Sequence, residues 1–174
     1  MTFTIDHKLL LRLAQDFAKR MANERKTLQA AYLIGSVARQ EPPLGNATDI
    51  DIVLIDEDPP EYWERYHRLS DTVLIDYHYT TPADYRDKQA LRQHPFHGPN
   101  LFKAVPLYDP KHVFDLIQAG ARSQIDKSEN VYGRARAAYR WAANGFESIQ
   151  HYRFQPSEAP PTMSALAALH STLE

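Results

Sequence analysis

Residues 32–55, YLIGSVARQEPPLGNATDIDIVLI, hold the pattern that decides the fold of this chain. A first apolar run ends at Gly35, and a second, Ile52–Ile55, begins directly after Asp49 and Asp51. An unpaired carboxylate is costly to bury, so such a pair sits at the open end of a strand, beside a cation, or in its neutral form. The stretch therefore predicts a strand, a helix that starts at the glycine, and a second strand that opens with acidic side chains.

Composition restricts the class of protein. Of the 174 residues, 43% are hydrophobic and 24% are charged, which is typical of a folded globular protein. The net charge of -2 argues against the basic surface that long nucleic acids or anionic membranes select. The absence of cysteine excludes disulfides and thiolate chemistry, and no stretch has the pattern of a signal peptide or a membrane span. We expect a cytoplasmic protein with a small or proteinaceous partner.

Hydrophobic periodicity predicts an α/β (α+β) fold, a mixed sheet flanked by helices, with a helical C-terminal region. We expect a core at residues 1–109 and the helical region at 110–174. The latter ends in mid-helix composition, as either a truncated chain or a protein whose last element is that helix would. The predicted strands are 28–35, 49–56, 71–80 and 101–109, and the predicted helices are 6–25, 36–41, 59–70, 81–93, 110–125, 128–150 and one from Thr162, with a loop at 94–100.

Asp49 and Asp51 lie two positions apart on a predicted strand, so their side chains point to the same face. Two carboxylates so placed can share a Mg²⁺ ion together with substrate phosphates. For the pair alone, a solvated strand entrance is the favoured interpretation. Asp76 interrupts the apolar stretch VLIDYHY and would complete a trio on a neighbouring strand, as metal ligand or as general base. The alternative for Asp76 is pairing with an arginine or a backbone donor.

The glycine before the predicted helix favours a phosphate site. Gly35 lets a phosphate approach the backbone, and the new helix offers unpaired N–H groups. Ser36 can donate a hydrogen bond, and Arg39 can add a charged contact one turn later. The alternative is an ordinary helix start with Ser36 as cap and Arg39 in solvent. His94 and His97 stay open, as metal ligands or as polar loop residues.

Together these motifs resemble the DNA polymerase β-like nucleotidyltransferase superfamily, whose pattern is Gly-Ser at a helix start, Asp-x-Asp on the next strand, and a third carboxylate on a later strand. GSVAR and DIDIVLI are similar to runs in minimal and aminoglycoside nucleotidyltransferases. The resemblance covers residues 28 to about 80. It departs from the family at Gln40, where many relatives have glycine, and in the slightly long loop 41–48.

The resemblance implies a nucleotidyltransferase-type sheet and a site with two parts. It implies Gly35, Ser36 and Arg39 for binding the triphosphate, and Asp49, Asp51 and Asp76 for catalysis and for holding Mg²⁺, in two ions.

The activity that the resemblance implies is transfer of a nucleoside monophosphate from a nucleoside triphosphate to an acceptor hydroxyl, with release of pyrophosphate. The acceptor expected from the relatives is a small, aminoglycoside-like molecule. Two alternatives remain, an antitoxin that adenylylates a toxin partner and a nucleotide-binding module without catalysis. The oligomeric state is open, with a dimer as one option.

Overall fold

The computed structural model describes residues 6–42, 48–61 and 64–154. Its strands are β1 (Leu28–Ile34), β2 (Thr48–Asp56), β3 (Glu64–Arg68), β4 (Val73–Thr80) and β5 (Val105–Tyr108). Its helices are α1 (His7–Glu24), α2 (Gly35–Ala38), α3 (Lys88–Gln93), α4 (His97–Lys103), α5 (Val113–Arg122) and α6 (Ser128–Phe154), with a 3₁₀ turn at Pro82–Tyr85.

These residues form a mixed sheet flanked by helices, which confirms the predicted fold class. Within the described ranges the sheet has five strands in the order β3-β4-β2-β1-β5. β2 pairs antiparallel with β1 and parallel with β4, and the other two pairings are antiparallel. β2 therefore lies at the centre, where its residues 52–55 are buried on both faces.

The two faces of the sheet carry separate cores. On the α1 face, Ile50, Ile52 and Leu54 of β2 pack with the apolar stripe of α1, which includes Phe17. On the opposite face, which we call the α5 face, Val53 and Ile55 pack with residues of α3, α4 and α5. The alternation along β2 follows from the period of two in a strand, and it also sends Asp49 and Asp51 to the α5 face.

The helix predicted at residues 59–70 is wrong. Residues 64–68 form β3, an edge strand that pairs antiparallel with β4. A tight connection joins the two strands, where Ser70 Oγ accepts hydrogen bonds from the backbone N–H groups of Thr72 and Val73. This side-chain contact favours a turn over a helix. Tyr62 and Trp63, within the range of the predicted helix, lie outside the described residues.

Two further expectations change. The helix predicted at 81–93 divides into the 3₁₀ turn and α3, because the Asp87 carboxylate caps a new helix by accepting the N–H groups of Gln89 and Ala90. The loop predicted at 94–100 overlaps α4. The helix predicted from Thr162 lies outside the described residues, and the division at residue 109 stays a prediction.

The far end of β2 holds a buried ion pair. Asp56 is fully buried, and Arg25 Nε donates to its Oδ2 at 2.5 Å. Arg25 also donates to the backbone carbonyl of Asp58, whose N–H donates to Asp56 Oδ1. Burial raises the pKa of Asp56, but the hydrogen bonds from Arg25, Thr27 and Asp58 outweigh it and hold that pKa below its ordinary value. The pair joins the end of α1 to the end of β2.

We expect Arg25→Gln to lower the free energy of unfolding by about 3 kcal/mol, because it leaves the Asp56 carboxylate buried without its cation. Because its pKa is lowered, the ionised carboxylate stabilises the fold at pH values above the pKa of the unfolded state, about 4. This stabilisation is lost as the pH falls through the pKa of the folded state. In the variant, burial dominates and the pKa rises, so acid unfolding should begin at a higher pH. Urea unfolding followed by circular dichroism across acid pH measures both effects.

Arg68→Gln is the matched control, because Arg68 pairs with Asp71 at 3.8 Å in an exposed position. It should change the free energy of unfolding by less than about 0.5 kcal/mol. Equal losses in the two variants would contradict a special role for Arg25.

Candidate functional site

The parallel pairing of β2 with β4 brings the predicted carboxylates to one face of the sheet. Asp51 and Asp76 are direct partners in the register, and Asp49 lies opposite Leu74, two residue pairs before the Asp51–Asp76 pair. Partners in a parallel pair point to the same side, so Asp49, Asp51 and Asp76 share the α5 face. Asp51 is half-buried, whereas Asp49 and Asp76 are exposed. The structure therefore places Asp76 beside Asp51.

Gly35 lies against this group. It has a φ of +73°, a left-handed conformation that glycine adopts at low cost. A Cβ atom at this position would overlap the carboxylate of Asp51. The missing side chain thus makes room for Asp51, which is a different reason for the glycine from the phosphate approach that the sequence suggested. Ser36 follows it, half-buried in the first turn of α2.

The end of α2 explains the departure at Gln40. The N–H of Glu41 donates to the carbonyl of Ser36, and the N–H of Gln40 donates to that of Val37. These two bonds form a Schellman motif, whose left-handed position is Gln40 with a φ of 58°. Glycine is the usual residue at this position, because a side chain costs energy there. The glycine of the relatives therefore matches the backbone that this chain adopts with glutamine.

Arg39 lies at the end of α2 and pairs with Glu41. Its Nε donates to Glu41 Oε1 at 2.6 Å and its Nη2 to Oε2 at 3.0 Å. Both side chains are exposed, so this pair is easily exchanged for another anion. Arg39 is close enough to Asp51 for its charge to favour the ionised carboxylate.

The electrostatics of the three carboxylates centre on Asp51. Burial raises its pKa, and the charges of Asp76 and Asp49 raise it further, against a smaller opposing effect of Arg39. Ionised Asp51 is thus destabilised in the protein alone, and a cation would relieve the repulsion. Hard carboxylate oxygens are the donors that Mg²⁺ prefers, so the chemistry of the donor set fits this ion.

A second acidic group lies at the start of α5. Within the described part of the chain, only Asp109, His112 and Asp115 offer three such donors whose ligand atoms all lie within 4.8 Å of one another, and the group could hold a metal ion. Asp49, Asp51 and Asp76 are spaced more widely. The oxygens of Asp109 accept the N–H groups of Phe114 and Asp115, and His112 Nδ1 bonds Asp115 Oδ2 at 2.7 Å. These bonds give the group a capping role in α5.

A cavity of about 410 Å³ lies on the α5 face, beyond Asp51 and Asp76 along their strands. Val53 and His78 line it, and each follows by two residues on its strand one of the carboxylates, Asp51 or Asp76. His94 and His97, which the sequence left unassigned, also line this cavity. The sequence missed it because its walls come from β1, β2, β4, the 3₁₀ turn, α4, α6 and the segment between α3 and α4, whose packing no local pattern specifies.

No family model and no curated protein matches this chain. Within the described residues, no helix combines the length and the apolar character that crossing a membrane requires. The inference of a function therefore starts from the geometry of Asp49, Asp51 and Asp76 and of the cavity beside them.

We expect Gln40→Gly to raise the free energy of unfolding by about 1 kcal/mol, because it removes the strain of a side chain in the left-handed region. Gln15→Gly, in the interior of α1, is the control and should lower it by about 1 kcal/mol. Thermal and urea unfolding measure both. A loss of stability in Gln40→Gly would contradict the assignment of this position as the helix-ending residue.

Asp51→Asn should raise the free energy of unfolding of the metal-free protein at pH 7 by about 1 kcal/mol, because it removes a desolvated and repelled charge. The sign follows from the raised pKa, since the folded state holds the proton more tightly and loses stability as the pH rises above about 4. The gain should vanish below that pH.

Urea unfolding in the presence of a chelator, at neutral and at acid pH, measures this difference. Asp71→Asn, fully exposed on the connection between β3 and β4, is the control and should have an effect within about 0.5 kcal/mol at either pH. A destabilised Asp51→Asn at pH 7 would mean that the carboxylate has a favourable partner in the fold.

Proposed function

We propose that this protein is a Mg²⁺-dependent nucleotidyltransferase, which transfers a nucleoside monophosphate from a nucleoside triphosphate to the hydroxyl group of a small acceptor. The observation that supports the proposal most directly is the in-register pairing of Asp51 with Asp76, with Asp49 on the same face of the sheet. The motif pattern of the sequence adds the resemblance to the nucleotidyltransferase superfamily.

The proposal assigns triphosphate binding and proton transfer to residues at two different ends of the site. Gly35 and Ser36 lie where β1 ends, and Arg39 is one turn away with an exposed side chain. In the proposal these residues bind the triphosphate, with Arg39 exchanging Glu41 for phosphate oxygens. Asp76 is exposed and next to Asp51, so it can accept the proton of the acceptor hydroxyl.

Mg²⁺ would be held by Asp49, Asp51 and Asp76, and it would supply neutralisation of the charge on the phosphate groups. In the proposal the three carboxylates share two ions about 4 Å apart, an arrangement that stabilises both the attacking and the leaving oxygen. The raised pKa of Asp51 also supports a cation at this place, since none of the side chains in the described ranges fully offsets its charge.

The first test is calorimetric titration of ATP and GTP into the wild type with and without Mg²⁺. We expect binding that requires Mg²⁺, and at least about a tenfold loss of affinity in Asp49→Asn/Asp51→Asn, because charged metal ligands cost more than 1.4 kcal/mol to remove. Asparagine keeps the size of the side chain, so the loss reports on charge.

Asp115→Asn is the matched control, since it removes one carboxylate from the other acidic group. It should bind nucleotide as the wild type does. Mg²⁺-dependent binding that survives in the double variant and disappears in Asp115→Asn would overturn the proposed metal site. Binding without pyrophosphate release towards any small acceptor would favour the non-catalytic module, and label transfer to a protein would favour the antitoxin alternative.

A further inference from the structure

The cavity on the α5 face continues the line of carboxylates along the strands. Val53 follows Asp51 on β2, and His78 follows Asp76 on β4, by two residues in each case. Two residues of a strand span about 7 Å, so the cavity begins one side chain beyond the carboxylates. Ile34, the register partner of Asp51 on β1, also lines it.

The cavity and Gly35 lie on opposite sides of this line. β1 runs from Tyr32, which lines the cavity, through Ile34 at the level of Asp51, to Gly35 at its end. Along β1 in this direction, the cavity comes first, the level of Asp51 and Asp76 second, and the end of the strand last. In phosphoryl transfer the attacking and leaving oxygens lie roughly in line on opposite sides of the phosphorus. If pyrophosphate leaves towards the end of β1, the acceptor approaches from the cavity.

The floor of the cavity is polar but uncharged. The hydroxyl groups of Tyr32 and Tyr85 lie 2.8 Å apart, and the hydroxyl groups of Tyr85 and Thr80 also lie 2.8 Å apart. Thr80 in turn donates towards the carbonyl of Leu54. None of the described residues that line the cavity is Asp, Glu, Lys or Arg. These walls therefore offer no anionic partner to a polycation, and the carboxylates beyond them, Asp51 and Asp76, are the ones proposed to hold Mg²⁺. A neutral molecule with a few polar groups would suit the walls.

His94 presents a neutral ring to the cavity. Its Nδ1 accepts hydrogen bonds from the N–H groups of Phe96, at 3.2 Å, and His97, at 3.0 Å. An accepting Nδ1 places the proton on Nε2, which makes His94 a hydrogen-bond donor without charge. Burial and the neighbouring His97 lower the pKa of His94, and the two rings stack at 4.0 Å between centroids.

An aromatic pair forms the rim. Trp141 of α6 is 56% exposed and Phe96 is 53% exposed, and their ring centroids lie 5.2 Å apart. Trp141 also contacts His94 edge to face at 5.6 Å. Exposed aromatic rings at the mouth of a cavity favour a planar ligand that stacks on them.

We propose that this cavity binds the acceptor, and that the acceptor is an uncharged compound with an aromatic ring and a hydroxyl group rather than a polycationic aminosugar. The inference rests on the proposed function. In the transfer, the acceptor oxygen forms a bond to the α-phosphorus as the bond from that phosphorus to the bridging oxygen breaks, pyrophosphate leaves with the electron pair, and the hydroxyl proton passes to Asp76.

The test measures binding of 4-fluorophenol by ligand-observed fluorine NMR, in the wild type without nucleotide or metal. The variants are Trp141→Ala, which removes the rim, and Phe146→Ala, a control of similar exposure at 59% on the same helix but outside the cavity lining. We expect the dissociation constant to rise about tenfold in Trp141→Ala and to stay within twofold in Phe146→Ala. Trp141→Leu repeats the test with an apolar side chain, and circular dichroism confirms folding of each variant.

Two competitors complete the test. Kanamycin represents the aminosugars and adenosine represents the nucleoside, and neither should displace 4-fluorophenol. Displacement by kanamycin, displacement by adenosine, failure of the phenol to bind, or equal affinity in the wild type and in both Trp141 variants would each overturn the inference. Asp49→Asn/Asp51→Asn should bind the phenol normally, so this experiment can fail while Mg²⁺-dependent nucleotide binding succeeds, and the reverse.

Discussion

The repulsion between Asp51 and Asp76 is the constraint around which the site is arranged. Parallel pairing of β2 with β4 fixes the two residues as register partners, and neighbouring strands lie only about 4.8 Å apart. A one-residue shift of register would separate the side chains, but it would turn the whole apolar set of β2 to the wrong faces. The two cores thus hold in place two carboxylates that repel each other, and such a locally unfavourable arrangement is typical of functional sites.

The two ends of β2 treat a carboxylate in opposite ways. Asp56 is fully buried, yet Arg25, Thr27 and a backbone N–H stabilise its charge and lower its pKa. Asp51 is only half-buried, yet burial raises its pKa and the charges of Asp76 and Asp49 raise it further, against a smaller opposing effect of Arg39, which is paired with Glu41. The protein therefore supplies its own cation, Arg25, to the buried carboxylate at one end of β2. In the part of the chain that the structure describes, Asp51 has no comparable partner, which favours a cation supplied from solution.

The sequence predicts those features of the fold that depend on local patterns. The N-cap at Asp6, the buried run of β2 and the long helix α6 follow from capping, periodicity and length. The edge strand at residues 64–68 was missed because its charged and aromatic residues suit an exposed helix as well as an edge strand, and pairing with β4 decides between them. For the site, spacing predicts that Asp49 and Asp51 share a face, whereas the position of Asp76 depends on strand order. The cavity depends on the packing of several helices, which spacing cannot specify.

The alternation of side chains between the two faces of β2 explains why acidic residues stand directly before the apolar part of the run DIDIVLI. Its odd-numbered members all face the helices α3, α4 and α5, so one face of β2 carries Asp49 and Asp51 and then Val53 and Ile55. The first pair would hold cation and phosphate, and Val53 forms part of the wall where an uncharged ring would lie. A charged and an apolar binding region then meet on a single rigid strand, and their separation is fixed by the strand rise of about 3.3 Å per residue. In the proposed reaction, such a strand would set the distance between the phosphate and its acceptor more firmly than a loop could.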